Sequence, residues 1–214
     1  MELLSLERIA LAAIPIILAI TVHEAAHGYV ARMFGDGTAW MLGRVTLNPL
    51  KHIDPVGTVL VPLATLWLGG FLFGWAKPVP VNFGNLRHPK RDMVWVAGAG
   101  PASNFVMAVG WGFLLGATGP SGPWASDGLY VMADAGVKIN LALLALNLLP
   151  VPPLDGGRIA VGLLPNRAAL LLARLEPYGF FVILALIVIP GALWVVLGPI
   201  YRVFAFLVFA LTGQ

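Results

Sequence analysis

Five windows of the chain are almost unbroken in apolar residues: 9–31, 57–75, 93–118, 128–149 and 178–212. Crossing ~30 Å of hydrocarbon takes about 20 such residues in a helix. The pattern therefore predicts an all-α polytopic membrane protein with about five to six transmembrane or re-entrant helices. Two windows are irregular. Pro190, Pro199 and Arg202 interrupt 178–212, which reads either as two spans or as one span and a half-helix. Pro62, Gly69, Gly70 and Gly74 break up Gly57–Trp75, which suits an element that dips in and returns with its freed backbone groups covered by protein.

Composition strengthens the membrane reading: 59% of the residues are hydrophobic and 11% charged, against about 25% charged in an ordinary soluble domain. The front of the first window is acidic (Glu2, Glu7) and no small-residue cleavage site follows it, which argues against a cleaved signal peptide. No repeat, low-complexity tract or polar block stands apart. Residues 1–214 are expected to form a single membrane domain, with a core over 9–160 and C-terminal helices over 166–214. The absence of cysteine excludes disulfides, thiolate metal sites and a thiol nucleophile.

The net charge of +3 is read as loop bias, not as a nucleic-acid surface. Arg32, Arg44 and Lys51 follow the first window; Lys77, Arg87, Lys90 and Arg91 precede the third; Arg158 and Arg167 follow the fourth. The connection 119–128 has no basic residue. Positive loops stay cytoplasmic, so 32–56, 76–92 and 156–168 are expected inside and 119–128 outside. Gly57–Trp75 then has both ends on one side. Either it is re-entrant, or one basic loop lies on the outer face.

The first window carries chemistry at its far end, in Thr21-Val-His-Glu-Ala-Ala-His-Gly-Tyr-Val30. Histidines four apart lie one turn apart on a helix face, so His23 and His27 can reach one ion. H-E-x-x-H is the zinc-hydrolase pattern, with Glu24 beside the metal as general base. The bland alternative is a pair of satisfied helix histidines near the interface, but ionisable groups at membrane depth are costly and by default functional. Catalytic zinc takes a third protein ligand and keeps a position for water. Asp155 is the strongest candidate. Pro150, Pro152 and Pro153 stop the preceding apolar helix, and Gly156 and Gly157 permit a tight path behind the carboxylate. On residues alone, a solvated Asp-Gly-Gly turn is an equal reading. His52 and His88 lie in basic loops, where solvated or interfacial histidines are usual; Lys138, Arg174, Glu176 and Arg202 are the other ionisable groups inside apolar runs.

Three stretches together, HEAAH (23–27), AGAGPASN (97–104) and NLLPVPPLDGG (147–157), resemble the site-2 protease family of intramembrane zinc metalloproteases. NPLKHIDPVG (48–57) and KPVPVN (77–82) resemble its compact prokaryotic subgroup without PDZ or CBS domains. The resemblance covers roughly 10–160. It implies one zinc ion held by His23, His27 and Asp155, Glu24 as the base, and Asn147 at the substrate carbonyl or oxyanion. It also implies a three-span core running inward over 9–33, outward over 93–118 and inward over 128–150, with the site nearer the cytoplasmic face of a prokaryotic cell membrane. The implied substrate is a transmembrane protein, cleaved within or near its membrane segment. A regulatory partner or oligomer would supply any control that the missing domains give.

Residues 75–82 (Trp75 to Asn82) read either as an edge strand, in a small membrane-associated β-hairpin or loop between the first and next core spans, or as a plain proline-rich loop. An edge strand would bind an unwound substrate by β-augmentation, through Lys77, Pro78, Val79, Pro80, Val81 and Asn82. Gly98, Gly100, Ala102 and Ser103 read as a small-residue packing face, with Asn104 packing against a neighbouring span. Two other classes use the same ligands: a zinc-binding membrane transporter, which needs no base, and a membrane zinc hydrolase acting on lipid.

Overall fold

The computed structural model describes residues 6–69 and 74–214, and every regular element among them is helical. The first window becomes α1 (Leu6–Met33). A short α2 (Thr38–Met41) follows, and then a π-helical turn at Pro55–Leu60 that runs into α3 (Val61–Gly69). The long helices α4 (Pro89–Thr118) and α5 (Asp127–Asn147) come next. The chain closes with α6 (Asp155–Leu163), α7 (Asn166–Ala173), α8 (Glu176–Val188) and α9 (Ala192–Thr212). Four helices are long and apolar enough to cross a membrane, within α1, α4, α5 and α9, and α7 with α8, bent by 61°, makes a fifth if counted as one span.

The two irregular windows resolve differently. In 178–212, Gly191 at φ 79° separates α8 from α9. Thirteen residues carry α8 only about 20 Å at 1.5 Å per residue, whereas the 21 of α9 reach the hydrocarbon thickness. The window is one span and a shorter helix. In 57–75, the ends meet: Trp75 N–H donates to Gly57 O at 3.0 Å, and Thr58 Oγ1 donates to Trp75 O at 2.9 Å. A Cβ on Gly57 would lie 2.3 Å from the Trp75 indole, so only glycine permits the closure. The two ends of the segment lie side by side; 70–73 lie outside the described residues.

The core is the packing of α1, α4 and α5 on one another, with α6 and α9 against α4. Ala108 and Leu115 of α4 meet Ala133, Val137 and Leu141 of α5 and Val208 of α9. Small residues set the spacing, since lipid gives no hydrophobic drive for helices to associate and close van der Waals contact must do so. A Cβ on Gly136 would overlap the Trp111 indole at 2.3 Å, and one on Gly112 would press on Thr212 at 2.9 Å. Large apolar side chains such as Ile17, Val106, Phe113, Val195 and Phe206 point outward, the inverse of a soluble bundle.

The β-hairpin is not present among the described residues: 74–82 has no regular secondary structure and pairs with no strand. The reason lies in its partners. Trp75 N–H goes to Gly57 O, Lys77 N–H to His52 O, Val79 N–H to the Glu24 carboxylate and Asn82 N–H to Asp36. Pro78 and Pro80 have no N–H to give. These four donors go to four different parts of the protein and not to one neighbouring strand, so no ladder forms. The segment is a strap laid across the end of α1.

Candidate metal centre

His23, Glu24 and His27 share the C-terminal half of α1. Asp155 opens α6, which is folded back hard against the end of α5. A Cβ on Gly156 would lie 2.3 Å from Leu148 O, and one on Gly157 would lie 2.2 Å from Pro152 N. The two glycines let the backbone double back, and this brings the carboxylate to the histidines. His23 Nε2 and His27 Nε2 are 3.1 Å apart, and they lie 3.2 and 3.3 Å from Asp155 Oδ2. The three side chains are 9%, 11% and 13% exposed. Asp155 is no solvated turn residue.

The outer nitrogens determine what the inner ones can do. His27 Nδ1 lies 2.7 Å from Val96 O, an acceptor only, so Nδ1 carries the hydrogen. His23 Nδ1 lies 2.6 Å from Asn104 Oδ1 and likewise donates. In the neutral imidazoles both Nε2 atoms therefore present lone pairs to each other and to a carboxylate oxygen that has no hydrogen-bond partner. Three lone pairs converging in a buried space repel. A single proton can bridge only two of them, whereas a dication bonds all three. Donor atoms at ~2.0–2.1 Å around a tetrahedral zinc stand about 3.3 Å apart, close to the separations found. The donor set fits zinc.

Helix α4 lies on the cluster through Gly100. A Cβ there would sit 2.5 Å from both imidazoles, so the small-residue reading holds at Gly100 but not at Gly98, which has nothing within 4 Å. Glu24 does not join the three donors; its Oε2 accepts Val79 N–H of the strap at 2.7 Å. The strap is seated by Gly28, one turn beyond Glu24, where a Cβ would lie 3.0 Å from Val79. Arg44 holds the strap by donating to Lys77 O and Pro78 O at 3.0 and 3.3 Å. Val81 N–H has no partner among the described residues. Asn147 ends α5 with its Nδ2 donating to Leu143 O at 3.0 Å, and no hydrogen bond joins it to the cluster.

Two residues of consequence escaped the sequence reading. Asn104 does more than pack: it is fully buried and holds His23. A polar side chain inside a span was the available signal. Asp36 is also fully buried, and it accepts from Thr38 N–H at 3.1 Å, Asn85 Nδ2 at 3.1 Å and Asn82 N–H at 2.7 Å. Burial alone would raise its pKa, but these donors hold the carboxyl below the usual range. It pins the far end of the strap. His52, expected to be solvated or interfacial, is buried instead: Nε2 donates to Thr46 O at 3.0 Å while its carbonyl takes Lys77 N–H. His88 is exposed at the start of α4 and Lys138 pairs with Asp134 at 2.6 Å, both away from the cluster.

Known proteins similar to this chain are named as metalloproteases. The model of Peptidase family M50 matches residues 120–190, the stretch holding Asn147 and Asp155. A Bacillus subtilis protein named "Putative zinc metalloprotease YwhC" is 43% identical over 181 residues, 83% of this chain and 80% of that one. Two proteins described in the same words as Rip2 are 32% identical: that of Mycolicibacterium smegmatis over 82% of this chain and 65% of its own length, and that of Mycobacterium tuberculosis over 65% and 52%. The chain thus spans most of the first relative and under two thirds of the Rip2 proteins. No solved structure matches. Identity at this level over most of both chains, with the family model falling on the segment that delivers Asp155, makes this chain a member of peptidase family M50, the site-2 proteases.

Proposed function

We propose that this protein is an intramembrane zinc metalloendopeptidase that hydrolyses peptide bonds within or near the transmembrane segments of membrane-protein substrates. The observation that carries the reading is the convergence of three potential ligand atoms, His23 Nε2, His27 Nε2 and Asp155 Oδ2, within 3.3 Å of one another. Family membership favours peptide hydrolysis over transport or lipid cleavage. His23, His27 and Asp155 would hold one zinc ion, which when bound acidifies a water and polarises the scissile carbonyl. Glu24 would take a proton from the attacking water and return one to the leaving amine. Asn147 would donate to the carbonyl oxygen as charge develops there, through the Nδ2 hydrogen that Leu143 O does not take. Helices α1, α4 and α5 pack on one another around these groups.

The strap is assigned to substrate handling. Lys77 to Asn82 meets Glu24 through Val79 N–H, and the Val81 N–H, without a partner among the described residues, is a donor available to an unwound peptide backbone. Single-span peptides incubated with the purified protein should be cut, and a chelator should stop the cutting. Helix-breaking residues in the peptide should speed it. Val81→Pro removes the free donor and no internal bond, so it should slow cleavage of helical and extended peptides alike at unchanged zinc content. Peptides left intact by zinc-loaded protein would defeat the peptidase reading, and equal rates for Val81→Pro would reduce the strap to a loop.

The site is assigned to the cytoplasmic side, in a prokaryotic cell membrane, because the loops flanking it carry the basic residues. The meeting of Gly57 with Trp75 supports placing 32–56 and 76–92 on the same face. Single cysteines at Lys51, Asn85 and Arg167 should be labelled only from the cytoplasm, and one at Ser121 only from outside. Labelling of Asn85 from outside would reverse the topology.

A further inference from the structure

A chain of amides lies behind His23, buried where three spans meet. Asn104 of α4 and Asn140 of α5 are both 0% exposed. Asn140 Nδ2 donates to Gly136 O at 2.9 Å, which leaves Asn140 Oδ1 facing Asn104. Asn104 Nδ2 donates to that oxygen at 3.0 Å and to Ala19 O of α1 at 3.3 Å. Both hydrogens of the Asn104 amide are thereby spent on acceptors, so Asn104 Oδ1 is the atom that faces His23 Nδ1 at 2.6 Å. The order is directional from end to end. A backbone carbonyl orients Asn140, Asn140 orients Asn104, and Asn104 can only accept from His23.

We propose that Asn104 is a positioning residue for the metal centre, held in its working orientation by Asn140: it keeps His23 in the Nδ1–H tautomer and aims the Nε2 lone pair at the space shared with His27 and Asp155. This deepens the zinc reading and rests on it. The two histidines are served differently. Val96 O, a backbone atom, holds His27 in any variant that keeps α4 helical. His23 depends on side chains from two other helices, so its tautomer can be lost by substitution while the fold remains. A site preorganised in this way meets the ion with its lone pairs already presented. Outer partners of metal-bound histidines typically contribute about 10–100-fold in metal affinity.

The test uses the full chain in detergent with zinc as the probe. Affinity is measured by competition with a chromophoric chelator, and helicity and thermal midpoint are followed alongside. Asn104→Leu should weaken zinc about 10–100-fold. Asn104→Asp should stay within a few-fold of the native protein, because one oxygen still accepts from His23 and the protonated acid can donate to Asn140. A purely packing role predicts the reverse order, since a buried carboxyl is harder to accommodate than Leu. Asn140→Leu should fall between, because Asn104 then keeps only its longer bond to Ala19 O to resist a flip. A second readout needs no metal: nitrogen shifts of labelled histidine at pH ~8, above the imidazole range. They should show His23 as Nδ1–H in the native and Asn104→Asp proteins and as a mixture in Asn104→Leu and Asn140→Leu. Native protein that binds no zinc overturns the zinc reading itself. Native protein that binds zinc, with Asn104→Leu binding it equally or Asn104→Asp binding it worse than Asn104→Leu, overturns the positioning role alone. Should Asn104→Leu fail to fold, Asn140→Leu decides: an unchanged tautomer and affinity there refute the chain of amides.

Discussion

Replacing Glu24 with Gln is expected to abolish peptide hydrolysis while zinc stays bound. General base and acid assistance contributes about 10²–10⁴-fold to such reactions, and an amide can neither take the proton from water nor return one. The substitution is otherwise mild. The three donors that converge are His23, His27 and Asp155, not Glu24, so the metal should remain. The Gln oxygen can still accept Val79 N–H, so the strap should keep its place. Zinc content by elemental analysis and cleavage of a single-span peptide, measured on the same preparation, separate the two effects. A Glu24→Gln protein that turns over at the native rate would remove Glu24 from the chemistry. It would also reopen the transporter reading, in which that carboxylate is a bystander.

Asp155→Ala should lose metal and activity together. It deletes one of three donors, and the remaining imidazoles offer zinc two bonds where a catalytic site supplies three. The loss of affinity should exceed the ~10–100-fold typical of an outer partner. Gly100→Ala should reach the same end without touching a donor. Its Cβ would lie 2.5 Å from His23 Cε1 and His27 Nε2, so the rings must turn out of the cluster or α4 must back away. In both variants the helical content should persist, because the apolar cluster that joins α4 to α5 and α9, built on Ala108, Leu115, Val137, Leu141 and Val208, includes neither position. Full zinc occupancy in Asp155→Ala would mean that the third ligand is another group.

Much of the site was legible along the chain because its parts are locally encoded. Two histidines four residues apart must share a helix face whatever that helix packs on. The prolines and glycines around Asp155 announce a helix end and a tight return. Polar atoms in an apolar run stand out because lipid offers them no partner. Apolar window length foretold α1, α4, α5 and α9 for the same reason.

The strap shows where this kind of reading stops. Residues 75–82 have the composition of an edge strand, but whether a strand forms depends on which neighbour supplies acceptors. Here the acceptors were Gly57 O, His52 O, Glu24 and Asp36, four unrelated places. Asn104 packs against neighbouring spans as read, but its bond to His23 was out of reach in a similar way. Its spacing from Gly100 fits a packing face, and its partner His23 lies 81 residues away. Periodicity describes one helix at a time and says nothing of the residue across the interface.

The sequence by itself determined the solvent, the long spans, the paired histidines with their glutamate, and the Asp-Gly-Gly return that had to follow α5. Each of these follows from local geometry or from the cost of polar atoms in hydrocarbon, which act before any helix meets another. Only the tertiary structure decided that Asp155 closes on the histidines to 3.2 and 3.3 Å, that Glu24 is engaged by the strap, and that His23 is held through Asn104 by Asn140. Those outcomes depend on the approach of α4 to α1 and α5, which is set by the glycines between them. A difference of one methyl group at Gly100 would change that approach, and local sequence pattern does not register it.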